Sequence, residues 1–302
     1  MNKFTMMVGL VASGKSTISK ELSSEDNSVI LSSDDLREKL FEDINNQDGN
    51  DIVFETLHKL IKYYLSRNIS VIYDATNINY KQRMELLKGL RNIDCYKQCI
   101  LVATPYEKCL HQNSQRERQV PSYVIEKMYK NFYIPQYYEG WQDIQIVYND
   151  DGYIFNINEL FNGENGLNFI NQDNPNHTFT IGKHCLESAW LCEEYNGNYL
   201  LCKAAFLHDI GKRFTKDFKN SKGEVTEIAH YYQHHLVSAY DSLFYYKDLE
   251  LEDRLKIANY IQWHMQPFFL DSEKAKNKFI NLVGKEFYND IMIFHEADKN
   301  AK

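Results

Sequence analysis

The chain has 302 residues, 43% of them hydrophobic, with 34 basic against 42 acidic side chains and a net charge of −8. That length suits two domains and that apolar content two cores, while a pI near 5.7 argues against broad non-specific duplex binding, which needs a basic surface. Six cysteines form no CxxC pair, no apolar run approaches the roughly 20 residues of a membrane span, and the chain enters a strand at once, so a cytoplasmic setting with no membrane partner and no cysteine zinc site is expected.

In chain order, Phe4–Val8 reads as a strand and Ile18–Leu22 as the first turns of a helix, with Gly9-Leu-Val-Ala-Ser13-Gly14-Lys15-Ser16-Thr17 between them. Strand, GxxxxGK(S/T), helix is the order a phosphate-binding loop requires. The glycines turn backbone N–H groups inward on phosphate oxygens, and the helix N-terminus adds partial positive charge. Lys15 is the candidate point charge for the β/γ-phosphates and Ser16 the candidate Mg²⁺ ligand. Gly9, Ser13, Gly14 and Thr17 complete the nucleotide loop.

Val29–Leu31 is a second strand, followed by a helix with Ser33 or Asp34 as its N-cap. Asn45–Asn50 is a polar loop, and Asp51–Arg67 carries apolar residues at helical spacing. Strands at Ile69–Tyr73, Cys99–Ala103 and Ile144–Tyr148 alternate with a helix at Lys81–Leu90, which predicts a parallel five-stranded sheet with helices on both faces. Ligands of such sheets lie beyond the carboxyl ends of the strands, where Gly9–Thr17, Asp34–Arg37 and Asp74–Asn77 fall together. Phosphoryl transfer needs an acceptor for the nucleophile's proton and cations for the transferred group. Asp34 is the candidate general base, and Arg37 the candidate bidentate ligand of an acceptor phosphate. Asp74 is placed to orient the acceptor or Arg37, or to act on the metal's water shell. Arg116 and Arg118, in a loop ending at Pro121 before a helix over Ser122–Phe132, have the layout of a mobile lid, and either is a candidate for the transferring phosphoryl group.

A polar, Gly-containing stretch divides the chain into residues 1–152, a linker 153–170, and 171–302. From Asn176 onward the periodicity is helical: Thr180–Glu194, Tyr199–His208, His230–Tyr245, Leu251–His264 and Lys274–Asp298, with one extended excursion over Lys212–Glu227. Eight of the ten histidines lie there. Adjacent His208 and Asp209 point about 100° apart on a helix, so they converge on one metal or flank a pair of ions. Gly211 is read as the helix stop, which leaves Lys212 to reach a substrate phosphate. His184, His208 and either His234 or His235 sit on different helices facing one cleft. His264 lies in an apolar helix and Asp298 near the C-terminus. Mixed His and Asp ligands without thiolates favour Mn, Fe, Co or Mg over a closed structural zinc.

The motifs GLVASGKST, SSDDLR, DATNIN (74–79) and NSQRERQVPSYVIEKMY resemble, over residues 1–150, the kinase domain of phage-type 5′-hydroxyl polynucleotide kinases. The resemblance implies that Lys15 and Ser16 serve the phosphates and Mg²⁺ of ATP or GTP, and that Asp34 is the base. Arg37, supported by Asp74, then grips the acceptor's 3′-side phosphate, and Arg116 or Arg118 stabilises the transferring group. Over residues 170–302 the pattern H…HD…H…H…D resembles the HD phosphohydrolases, most closely the HD domains of bacterial CCA-adding enzymes. It implies an all-α domain with His184, His208, Asp209 and Asp298 as core ligands of one or two divalent transition-metal ions. His234 rather than His235 is then the extra ligand, with His264 beside it and Lys212 as the usual follower of HD. Together the resemblances imply an end-healing enzyme for RNA more than DNA, linked in function to an RNA ligase. It would phosphorylate 5′-OH ends and remove 2′,3′-cyclic or terminal 2′/3′ phosphates. The alternatives are a nucleoside or small-molecule kinase joined to a nucleotide hydrolase, and a nucleotide-sensing regulator.

Overall fold

A computed structural model describes residues 2–43, 48–175 and 177–302. Part of the polar loop expected at Asn45–Asn50, and Asn176, lie outside the described residues. The chain divides into two units: residues 1–128 with 135–152, and residues 129–134 with 153–302.

The first unit is built on five parallel strands, β1 (Lys3–Val8), β2 (Val29–Ser32), β3 (Val71–Asp74), β4 (Tyr96–Ala103) and β5 (Asp143–Tyr148), in the order β2-β3-β1-β4-β5. Both sides of β1 are paired, Thr5 standing beside Ile72 and Met6 beside Cys99, so the loop that follows β1 emerges from the middle of the sheet. Six helices alternate with the strands: α1 (Lys15–Asp26), α2 (Ser33–Phe41), α3 (Asn50–Leu65), α4 (Tyr80–Gly89), α5 (Tyr106–Ser114) and α6 (Ser122–Tyr129). Alternate strand residues face opposite ways. Met7, Ile72, Ile100 and Val102 form one apolar layer with Ile18 and Leu22 of α1. On the other face Tyr73 meets His58 of α3, and Phe4 stacks on Trp141.

Helix α2 starts one residue earlier than expected. Strand β2 runs through Ser32, which pairs with Asp74, and Ser32 is itself the N-cap, accepting from the Asp35 amide at 3.2 Å. Helix α6 ends at Tyr129, short of Phe132, because residues 129–134 pack in the other unit. Phe132 is fully buried against Tyr240, and the Ile134 amide donates to Gln262 Oε1 at 3.0 Å.

The second unit contains α7 (Ile157–Asn162), α8 (Ile181–Glu194), α9 (Tyr199–Leu207), α10 (Lys212–Thr215), an antiparallel hairpin of β6 (Lys216–Lys219) and β7 (Val225–Tyr231), then α11 (His234–Tyr245), α12 (Leu251–Trp263), α13 (Glu273–Val283) and α14 (Lys285–Asn300). Residues 153–170 contain α7 and a 3₁₀ turn at Leu167–Phe169, with Leu160, Phe161 and Leu167 buried. Two helical expectations are corrected. His230 lies on β7 rather than in the following helix, since Val225–Tyr231 pairs across the hairpin and α11 begins only after Gln233, at φ 64°. The single helix over Lys274–Asp298 is two, broken at Gly284, whose φ of 90° ends helical continuity. Among the described residues no helix is long and apolar enough to cross a membrane.

Candidate active sites

In the first unit, the loop after β1 enters α1 through Gly14 at φ +96°, a left-handed conformation open to glycine at no steric cost. Two side chains hold this turn: Thr104 Oγ1 and Asn149 Nδ2 both donate to the Ser13 carbonyl, at 2.9 and 3.0 Å. Lys15 is buried and curls back, its Nζ donating to the Leu10 carbonyl at 2.5 Å and contacting Ser13 Oγ at 3.3 Å. Burial pushes the Lys15 pKa down, and the charge of Arg116 adds to this against the opposing pull of Asp74 and Asp34.

Asp74 ends β3 beside Ser32 and is buried. Burial raises its pKa, although a hydrogen bond from Ser16 and the charge of Lys15 pull the other way. This links Asp74 to the Ser16 hydroxyl of the loop. Arg37 is held elsewhere: its Nη1 donates to Asp34 Oδ1 and its Nη2 to Asn50 Oδ1, both at 2.8 Å. Asp34 lies in the first turn of α2, and its second oxygen meets Arg118 Nη1 at 3.1 Å. A cavity of about 1290 Å³ is lined by the loop, Asp34, Arg37, Asp74, Arg116 and Arg118 together. Asn50, Asn149 and Thr104 were not anticipated. Their roles come from contacts 13 to 136 residues away in sequence, which no local pattern announces.

In the second unit, four imidazoles and two carboxylates converge. His184 Nε2 lies 3.3 Å from His208 Nε2, 2.9 Å from Asp298 Oδ1 and 3.2 Å from Asp209 Oδ2. His208 Nε2 is 3.2 Å from Asp298 Oδ1 and 3.3 Å from Asp209 Oδ2. On the other side of Asp209, Oδ1 faces His234 Nε2 at 3.2 Å and His264 Nε2 at 3.9 Å, and those two nitrogens are 3.2 Å apart. Asp209 therefore stands between two histidine pairs. His235, by contrast, is pushed down to about 3 by burial, and it packs its ring against His234 and His264.

The hydrogen-bond pattern states what this cluster wants. Each Nδ1 lies 2.7 Å from a backbone carbonyl: His184 from Ala301, His208 from Ala205, His234 from Tyr231 and His264 from Ile261. A carbonyl only accepts, so Nδ1 carries the proton and Nε2 of the neutral ring offers a lone pair. Lone pairs 3.2–3.3 Å apart beside carboxylates repel unless a proton or a metal ion lies among them. Both Asp209 oxygens are buried without a hydrogen-bond donor in good geometry, although Lys212 Nζ approaches Oδ2 at 2.6 Å as an ion pair. Burial opposes charge on His208, yet Asp209 and Asp298 outweigh it and hold the ring well above its ordinary pKa. The centre demands positive charge. His184, His208 and Asp298 form one set spaced to hold a metal, and His208, Asp209 and His264 another.

Two supporting features surround the cluster. Lys212 is clamped between Asp209 and Gln172 Oε1, at 2.6 and 2.7 Å. Gly211 is not the left-handed helix stop expected of it, since its φ is −70°. It is required by close approach: a Cβ there would lie 2.5 Å from the His234 carbonyl and 2.8 Å from the Ser238 amide. Gly211→Ala is therefore expected to push α11, with His234, off the centre. Metal affinity measured by competition with a chelator should fall by roughly 10–100-fold, as for loss of an outer-shell partner; unchanged affinity would remove this role. Outside the cluster, His177 packs its ring 5.3 Å from that of His184, while His230 stacks on Tyr232 in the hairpin.

Comparison with known proteins bears on both units. Residues 4–135 match a family described as an AAA domain, and residues 181–299 one described as an HD domain. The L-seryl-tRNA(Sec) kinase of Methanococcus maripaludis is 26% identical over 236 residues, covering 72% of this chain and 91% of that protein. Among solved structures, a putative kinase from Chloroflexus aurantiacus is 15% identical, covering 53% of this chain and 94% of its own, with a TM-score of 0.42. A chain of the Pnkp1/Rnl/Hen1 RNA repair complex is 23% identical, covering 42% of each chain, with a TM-score of 0.36. The protein thus joins an α/β P-loop kinase fold on a five-stranded parallel sheet to a helical HD domain.

Proposed function

We propose that the protein heals broken RNA ends: it phosphorylates 5′-hydroxyls from ATP or GTP and removes 2′,3′-cyclic or terminal phosphates from the other end. The observation that carries this reading is the Asp34–Arg37 pair in the same cavity as the phosphate loop. A carboxylate beside a buried guanidinium suits an acceptor whose hydroxyl is flanked by a phosphate, which is what a 5′-OH strand end presents. In this scheme Lys15 leaves the Leu10 carbonyl for the β/γ-phosphates, Arg37 orients the acceptor, and Asp34 takes the hydroxyl proton as the new bond to the γ-phosphorus forms and its bond to the β,γ-bridging oxygen breaks, releasing the nucleoside diphosphate. Ser16, with Asp74 hydrogen-bonded to it, would hold Mg²⁺, which would supply electrostatic stabilisation of the phosphates.

In the HD unit, His184, His208, Asp209, His234, His264 and Asp298 are the ligands for one or two divalent ions such as Mn, Fe or Co. When bound, these ions supply Lewis acidity for phosphoester hydrolysis. Lys212, steadied by Gln172 and Asp209, binds the substrate's phosphate oxygens. The L-seryl-tRNA(Sec) kinase relative, by its name a kinase acting on an aminoacylated RNA, supports an acceptor hydroxyl presented by RNA. A cytoplasmic setting and a partner RNA ligase complete the proposal, since ligation needs a 5′-phosphate and a free 3′-OH.

The test supplies γ-labelled ATP and an RNA bearing 5′-OH and 2′,3′-cyclic phosphate ends, and follows both termini. Label at the 5′ end and loss of the cyclic phosphate are expected. Label on free nucleosides but not on RNA would move the reading to a nucleoside kinase joined to a nucleotide hydrolase. No turnover of either end would favour a nucleotide-sensing regulator.

A further inference from the structure

The two lid arginines occupy different surroundings. Arg118 Nη1 lies 3.1 Å from Asp34 Oδ2, while Arg37 Nη1 holds Asp34 Oδ1 at 2.8 Å, so the carboxylate is gripped by a guanidinium on each oxygen. Arg116 lines the same cavity. The contact with Asp34 sets Arg118 on the acceptor side.

Charge and hydrogen bonding make the second placement informative. Two guanidinium groups on one carboxylate leave a net positive charge where the acceptor must enter. Arg37 is almost wholly buried, with its Nε–H enclosed and unpartnered, whereas Arg118 is about a quarter exposed and sits on a loop. A guanidinium on each Asp34 oxygen crowds the approach of an acceptor hydroxyl to that carboxylate. A neutral hydroxyl compound brings nothing to draw Arg118 away. A phosphate beside the hydroxyl does, because arginine binds phosphate oxygens bidentately and with charge assistance.

We infer that Arg118 is an acceptor-specificity residue: it rests on Asp34 and moves to the acceptor's phosphate, freeing the base only when the acceptor is an anion. This rests on the reading of the first unit as a kinase for strand ends and adds to it a check on acceptor charge. No group other than the γ-phosphoryl is transferred. The hydroxyl proton passes to Asp34, and Arg118 exchanges one anionic partner for another.

The test uses the full-length protein with ATP and three acceptors: a 5′-OH RNA oligomer, a nucleoside 3′-monophosphate and the free nucleoside. The wild type should prefer the phosphate-bearing acceptors in kcat/KM. Arg118→Ala should raise their KM by about 10–100-fold, the range of a charge-assisted hydrogen bond, and erase most of the preference over the nucleoside. Its KM for ATP should stay within about 3-fold of the wild type, well below a lost charge-assisted bond. Arg118→Lys should recover part of the acceptor KM. A wild-type preference that survives Arg118→Ala intact, with the loss appearing in ATP use, would overturn the inference and leave the strand-end reading standing. A wild type indifferent to the acceptor phosphate would overturn both. Thermal unfolding of each variant, compared with the wild type, separates these outcomes from loss of fold.

Discussion

Asp209→Ala is expected to reduce bound divalent metal to background and to abolish removal of 2′,3′-cyclic or terminal phosphate, while 5′ phosphorylation continues. One residue has this reach because its two oxygens face different histidine pairs, His184 with His208 on one side and His234 with His264 on the other. Without it, four ε-nitrogen lone pairs crowd together with Asp298 as the single remaining carboxylate of the cluster, and Lys212 loses one of its two anchors. The loss should exceed the roughly 10–100-fold in affinity that an outer-shell partner is worth. Metal content by elemental analysis, read beside hydrolysis of a 2′,3′-cyclic phosphate end, checks both halves. Asp209→Asn separates charge from volume: it keeps the shape of the site and should still lose the metal. A variant that keeps the wild-type stoichiometry would place the ions elsewhere.

In the other unit, Asp34→Ala should lower kcat for 5′ labelling by roughly 10²–10⁴, the span attributed to a positioned general base, with the KM for ATP little changed. The proposed reading puts Asp34, with its partners Arg37 and Arg118, on the acceptor side, where a base contributes only as the hydroxyl proton is lost. Lys15→Ala differs, because the amine sits inside the loop itself, and it should weaken ATP use together with turnover. Hydrolysis by the HD unit should be unaffected in both variants, since Asp34 and Lys15 lie in the first unit. Full labelling activity in Asp34→Ala would assign the base to another group. Loss of both activities in a protein that still unfolds cooperatively would contradict independent sites.

The sequence by itself determined the parts whose information is local. A glycine-rich loop between an apolar run and a helix is legible because its function depends on consecutive backbone atoms. The five strands are legible because a parallel sheet covered on both faces needs continuous apolar runs. His208-Asp209 and the spaced histidines are legible because few residue types can hold a metal, and periodicity places the helices that carry or end beside His184, His208, His234 and His264.

What only the tertiary structure decided concerns pairs far apart in the chain. No spacing rule brings Asn50 to Arg37, or Arg118 to the second oxygen of Asp34. The setting of Asp209 between two histidine pairs depends on how α8, α11, α12 and α14 pack, which sets angles that a helical pattern leaves free. Gly211 shows the same limit in one residue. As sequence it read as a helix stop, and as structure it is a glycine because the backbone of α11 passes within the space of a methyl group. Residues 129–132 read as the end of a helix, yet Phe132 is buried against Tyr240, more than a hundred residues later. Local periodicity identifies which face of a segment is apolar, and the partner that covers it is chosen by the whole fold.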